Sequence, residues 1–324
     1  MLPFDNKNEF QVVIDMPEGT TLETTNTVAK EIGQYLRVRP EVVHYQSYVG
    51  TASPITFNGL VRHYDMRRGS NVADISVNLR HKNDRDDASH DIAKRLRAEI
   101  QSIGRKYNAN VKLVEVPPGP PVLSTIVAEV YGPDYDEQIS LARQIETLLK
   151  GTENVVDVDS YIENPQKKFH FTVDKAKAAE MGVMSAQLVQ NLSQALGNQA
   201  VAQLYAPNSV NGIDILLETK YADKSTIAFL KQLPIKTQMG NMVTVGDVAT
   251  VTETTQGFTI YRKNQQRVVY VLADMAGDLE SPVYSILEMS DQLGELKLPE
   301  GYKLNELYNG QPTDESDYTL KWDG

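Results

Sequence analysis

The sequence has 324 residues, enough for two or three compact domains, with 41% hydrophobic and 23% charged residues, the composition of an ordinary globular chain. Lys plus Arg number 32 against 43 for Asp plus Glu, a net charge of -11 that argues against a general nucleic-acid-binding surface. The absence of cysteine removes disulfides, thiolate metal sites and thiol nucleophiles, and no apolar run approaches the ~18 residues needed to cross a bilayer.

In chain order, one pattern recurs: a short β run, a turn with an acidic or hydroxyl residue, an amphipathic helix and a second β run. The first copy predicts a strand over Phe10 to Met16, a capping box at Thr20 and Glu23, a helix with Val28, Ile32 and Leu36 at helical spacing, and a strand over Val42 to Tyr48. The second predicts a strand over Asp74 to Leu79, a helix burying Ile92, Leu96, Ile100 and Ile103, and a strand over Val111 to Val116, closed by the breaker Pro117 to Pro121.

The third copy places Ile126, Ala128 and Val130 on one strand face and enters its helix through Asp134 and Glu137. Ile139, Ala142, Ile145 and Leu149 form its buried stripe, and Val155 to Val158 returns as a strand. The fourth has a strand over Val268 to Ala273, Ser281 and Pro282 as N-cap and first helical residue, an inward face of Val283, Ile286, Leu287 and Leu293, and a closing strand over Tyr302 to Leu307.

Two consecutive β-α-β units make a ferredoxin-like split β-α-β sandwich, a four-stranded sheet with two helices on one face. The expected fold is therefore α+β: two such sandwiches, the second interrupted by a small α+β domain. That insertion predicts helices over Asp174 to Met181 and Ser185 to Leu196, a strand over Ile213 to Glu218, and a tight two-residue turn at Gly240-Asn241.

Catalytic patterns are missing: there is no P-loop, dinucleotide-binding GxGxxG, GxSxG elbow or HExxH. The five histidines show no metal-ligand spacing, and the nine methionines are irregularly placed, as core filler or adaptable contacts are. No enzyme activity, cofactor or resident metal is expected. The informative segment is YVGTASPITFNGLVRHYDMRRGSN, Tyr48 to Asn71, a long stretch without helix or strand periodicity that is rich in apolar and aromatic residues. It reads either as the flexible wall of a site for apolar or amphiphilic molecules, with Ile55, Phe57, Tyr64 and Met66 as contacts and Arg62, Arg67 and Arg68 at a polar rim, or as a structural flap completing a core.

The order of these units resembles one periplasmic half of a resistance-nodulation-division (RND) efflux transporter. MLPFDNKNEFQVVIDMPEGTTLE resembles the segment leaving the seventh transmembrane helix, VDKAKAAEMGV the entry to the docking domain's first helix, and DESDYTLKWDG the approach to the eighth transmembrane helix. The resemblance implies an excised C-terminal periplasmic segment, with porter subdomains at 8–120 and at 121–164 plus 266–312, a docking domain at 165–265, and a tail over 313–324 leading toward a missing transmembrane helix.

It further implies a homotrimer in a bacterial inner membrane, a periplasmic adaptor, an outer-membrane channel, and hydrophobic or amphiphilic cargo of the acriflavine-resistance-like branch. By position, Tyr48 to Asn71 corresponds to the switch loop between substrate pockets. Tyr48, Ile55, Phe57, Arg62, Tyr64 and Met66 are then expected to contact substrate. Ile126, Ala128, Val130, Asp159 and Tyr161 would form the facing wall, and Gly240 and Asn241 the tip that meets the channel. A heavy-metal exporter of the same family and a stand-alone periplasmic ligand-binding or sensor module are the alternative readings.

Overall fold

The computed structural model describes residues 5–54, 57–115, 122–197, 199–224, 226–277 and 280–323. Two compact units result, one of Gln166–Gln256 and one of the remaining chain. The larger unit opens with β1 (Glu9–Asp15), α1 (Leu22–Arg37), β2 (Val42–Thr51), α2 (Phe57–Arg62), β3 (Arg68–Leu79), α3 (Ser89–Arg105) and β4 (Asn110–Val114). These strands pair antiparallel in the order β2-β3-β1-β4, the sheet of a ferredoxin-like sandwich.

Alternation explains which face of β1 is covered. Phe10, Val12 and Ile14 turn toward α1 and α3, where they meet Val28, Ile32, Leu36, Ile92, Leu96 and Ile100 in one core. Each such aliphatic side chain contributes roughly 1.5–3 kcal/mol by leaving water. Close approach of helix and sheet depends on Gly33, where an added Cβ would lie 2.6 Å from the Tyr45 ring. The cap of α1 is shifted by one residue from expectation. Thr21 accepts from the Thr24 amide, whereas the Thr20 hydroxyl donates to the Pro17 carbonyl.

The second sandwich begins with β5 (Ile126–Tyr131), α4 (Tyr135–Gly151) and β6 (Val155–Ser160). Asp134 caps α4 by accepting from the Glu137 amide at 3.0 Å, as its spacing predicts. The expected breaker at Pro117 to Pro121 lies outside the described residues.

The chain then leaves for the smaller unit, built from β7 (Lys167–Val173), α5 (Lys175–Glu180), α6 (Ser185–Leu196), β8 (Gln199–Leu204), β9 (Ile213–Leu217), α7 (Tyr221–Lys224), α8 (Ile227–Gln232), β10 (Pro234–Lys236), β11 (Met242–Thr244), α9 (Val245–Val248) and β12 (Ala249–Thr255). Its strands form three antiparallel pairs, β7 with β12, β8 with β9, and β10 with β11, around a small core of Ala178, Val183, Leu188, Ile235, Val245 and Val248.

On its return the chain forms β13 (Tyr261–Lys263), β14 (Gln266–Met275), α10 (Pro282–Leu293), β15 (Leu304–Leu307) and β16 (Tyr318–Asp323). Here the sequence expectation needs correcting. The fourth strand of the second sandwich is β16, antiparallel to β5, and the stretch expected to fill that place forms β15, a parallel edge strand beyond it. With β6 on β14, the order β6-β14-β5-β16 repeats that of the first sandwich. The 313–324 segment therefore contributes a core strand in place of the expected tail: Tyr318, Leu320 and Trp322 alternate into the core beside Ile126, Ala128 and Val130.

The inward face of α10 also differs from expectation. Ser285, Met289 and Leu293 are buried and Ile286 packs against the core, but Val283 and Leu287 are exposed, because the helix is rotated toward the 285/289/293 stripe.

Candidate functional site

The segment singled out in the sequence is largely ordered by its own neighbours. β2 extends through Thr51 and β3 starts at Arg68, so both flanks are strand. Between them lie α2 and one 3-10 turn, Tyr64–Met66, with His63 in the left-handed region (φ 57) where the chain reverses. Tyr64 packs on Val13 and Val114, on the sheet face away from the helices.

Two arginines fix this segment, and neither sits at a rim. Arg62 is only 5% exposed and grips Asp274 of β14 through two nitrogens, at 2.7 and 3.2 Å. Arg67 bonds Asp74 and Asp15, and donates to the Ile14 carbonyl at 2.8 Å. Burial alone would raise the Asp274 pKa, but Arg62, with donors from Thr125 and Ser124, holds this carboxyl far below the ordinary range. Asp15 behaves similarly: burial opposes its charge, yet Lys112 and Arg67 lower it to about 2. Breaking such a buried pair costs about 3–5 kcal/mol.

The expected contact residues therefore separate. Arg62 and Tyr64 are buried structural groups, Tyr48 is half-buried on β2 opposite Asp74, and Met66 is 67% exposed. Ile55 and the side chain of Phe57 lie outside the described residues. Ile126, Ala128 and Val130 do not line a cleft. All three are wholly buried under α4 and α10, because β5 sits centrally in its sheet with that face against the helices.

Asp159 and Tyr161 are brought to the junction of the two sandwiches. Asp159 accepts from Asn110 at 3.0 Å and pairs with Lys112, which also reaches Asp15 at 2.8 Å. Tyr161 packs against Tyr261 and Tyr270 at ring-centroid distances of 5.2 and 5.5 Å, and Tyr261 remains 38% exposed. Such offset and edge-on contacts suit aromatic quadrupoles. Burial raises the Tyr161 hydroxyl well above its ordinary value, so the cluster is neutral.

The junction is segregated by charge. Arg62, His90, Lys94, Arg97 and Lys112 come from the first sandwich, and Asp157, Asp159, Asp274 and Glu280 from the second. Among the described residues, every ion pair crossing the junction runs from a base on the first to an acid on the second. Asp157 also accepts from Gln101 at 2.8 Å and from the Leu113 amide at 3.1 Å.

Sequence reading missed most of these groups, although two leave a trace. Lys112 in NVKLV and Asp274 in QRVVYVLADM are charges inside apolar strands, where burial is tolerated only with a partner. Their partners lie too far along the chain to be read from spacing.

In the smaller unit, Gly240 and Asn241 lie in the β10–β11 turn. The turn spans Thr237 to Asn241 and is wider than the two residues expected: the Thr237 amide donates to the Asn241 carbonyl at 2.8 Å and the Gly240 amide to the Thr237 carbonyl at 3.0 Å. Gly240 takes φ 87 with open space around it, and Met239 and Met242 are exposed beside it. Among the described residues no cluster of three or more His, Asp or Glu could hold a metal ion, and no helix is long and apolar enough to cross a membrane.

Comparison with known proteins gives consistent relatives. The chain is 24% identical over 154 residues to the swarming motility protein SwrC of Bacillus subtilis, an overlap of 47% of this chain and 14% of that protein. It is 26% identical over 186 residues to the nickel and cobalt resistance protein CnrA of Cupriavidus metallidurans, an overlap of 56% of this chain and 17% of that protein. Among solved structures, two crystal forms of a heavy metal efflux pump share its fold, each with a TM-score of 0.71 and 18% identity. They cover 99% and 93% of this chain, and 31% and 30% of theirs. The chain thus spans less than a third of the length of each of these proteins. The family model described as AcrB/AcrD/AcrF matches residues 1–319, and the chain belongs to that family as a segment of an RND transporter.

Proposed function

We propose that this segment forms part of the periplasmic porter and docking portion of an efflux pump in a bacterial inner membrane, and that its cargo is an amphiphilic cation. The tyrosine cluster carries this reading. Tyr161, Tyr261 and Tyr270 offer a neutral aromatic surface with one ring well exposed. Aromatic faces attract organic cations, and their apolar rims suit the organic body of such a molecule.

In this reading the segment does no covalent chemistry. It binds and passes cargo, works as a homotrimer with an adaptor and an outer-membrane channel, and offers the Gly240-Asn241 turn to the channel. Divalent metal cargo is the second reading, favoured by the likeness to the nickel and cobalt resistance protein.

Calorimetric titration of the chain with tetraphenylphosphonium and with nickel chloride separates the two. Saturable binding of the organic cation, weakened at least tenfold by Tyr161→Ala and by Tyr270→Ala, supports the proposal. Binding of nickel alone favours the second reading, and binding of the organic cation unaffected by either substitution would sink the assignment of the tyrosines.

A further inference from the structure

The ion pairs between the sandwiches are not equivalent. Those of Arg62, Arg97 and Lys112 use guanidinium and ammonium groups. His90, in the first turn of α3, is different: its Nδ1 lies 2.8 Å from Glu115 and its Nε2 lies 2.7 Å from Glu280. Glu115 follows β4 of the first sandwich, and Glu280 leads into α10 of the second. Lys94, one turn further along α3, donates to the same Glu280 oxygen at 3.2 Å and to the Gly277 carbonyl at 2.8 Å.

Hydrogen-bond chemistry sets the state of the ring. Ionised carboxylates only accept, and a neutral imidazole has a single N–H to donate. Both contacts of His90 are therefore satisfied together only when the ring is an imidazolium. A neutral ring turns a lone pair toward one of the two carboxylates and loses that contact.

We propose that His90 is a pH-dependent latch between the two sandwiches: as imidazolium it ties Glu115 to Glu280 across the junction, and as neutral imidazole it lets the α10 side go.

The surroundings favour this behaviour. Burial works against the charged ring, but the bonds and charges of Glu115 and Glu280 outweigh it and raise the histidine above its ordinary value. The same contact, with Lys94, lowers Glu280 despite its partial burial. A raised histidine contributes its full hold below about pH 6.5 and loses it as pH rises through the raised value. The Lys94 contact and the pairs of Arg62, Arg97 and Lys112 do not depend on the ring, so the release is a local loosening of the α3–α10 side.

The absence of cysteine makes the test direct. Spin labels placed by Ala98→Cys on α3 and Leu287→Cys on α10, both exposed positions, report the separation of the two helices by pulsed EPR. The expected result is one narrow distance at pH 5.5 and a growing longer population by pH 8.5. For each unit by which closure raises the histidine, the closed-to-open ratio should fall about tenfold. His90→Gln should abolish the pH dependence, and Glu280→Gln should abolish it while the His90 ring still titrates by NMR, at a lower pH than in the parent chain because only Glu115 then supports its charge. Distances that do not change with pH in the parent chain, or a change that survives His90→Gln, would overturn the latch.

Discussion

The two sandwiches of this chain share one strand order and reach it by different routes. The first is contiguous from β1 to β4. The second is entered twice, left after β6 for Gln166–Gln256, and closed only by β16 after the excursion of β15. What the pair teaches is that central strand pairing, β1 with β3 and β5 with β14, sets the sheet. The remaining segments can arrive late because an insertion with adjacent ends leaves its host's core unchanged.

The sharpest way to break this parallel is at β16. Trp322 is buried in the second core and donates its indole N–H to Glu306 at 2.7 Å. Trp322→Ala should cost about 3–5 kcal/mol. Hydrogen exchange should show the loss confined to the second sandwich, with α1 and α3 still protected. Equal loss of protection in both sandwiches would mean that they unfold as one unit. Arg62→Ala leaves Asp274 buried without its base and should cost nearly as much, about 3 kcal/mol by urea unfolding. Adding Asp274→Ala should recover part of that cost, since the two changes share one contact.

Acid tests the first sandwich. A carboxylate lowered to about 2, as Asp15 is, contributes stability that is full above its unfolded value near pH 4 and lost as pH falls through 2. Asp15→Asn should therefore lose of order 2 kcal/mol at pH 7 and flatten the acid limb of a stability-pH curve. Gly132→Ala sharpens the packing of β16 from the other side. Its Cβ would lie 2.4 Å from the Tyr318 ring, and the cost should be about 1–2 kcal/mol. Met66→Ala, at a side chain in solvent, should change stability by less than about 0.5 kcal/mol.

Much of this fold was legible because its helices are amphipathic and its strands alternate. The helical stripe Ile92, Leu96, Ile100 and the shared strand face of Ile126, Ala128 and Val130 are both visible in the spacing, and both lie in cores. Alternation does not say what covers a face, so the second was assigned to a cleft when it lies under helices. β16 was missed although Tyr318-Thr319-Leu320-Lys321-Trp322 alternates cleanly, because Leu304 to Leu307 offered an earlier strand in the expected place. The site was less legible than the fold. Arg62 meets Asp274 across 212 residues, and Tyr161 meets Tyr261 and Tyr270 across the inserted unit, so no local spacing records either contact.

Binding of cargo at the tyrosine cluster is tested most directly by hydrogen exchange of the chain with and without saturating tetraphenylphosphonium. Protection should rise in β6 through Tyr161 and in β13–β14 around Tyr261 and Tyr270, with β8–β9 unchanged. Protection confined to β8–β9 or to the β10–β11 turn, with the tyrosine strands unaffected, would contradict it.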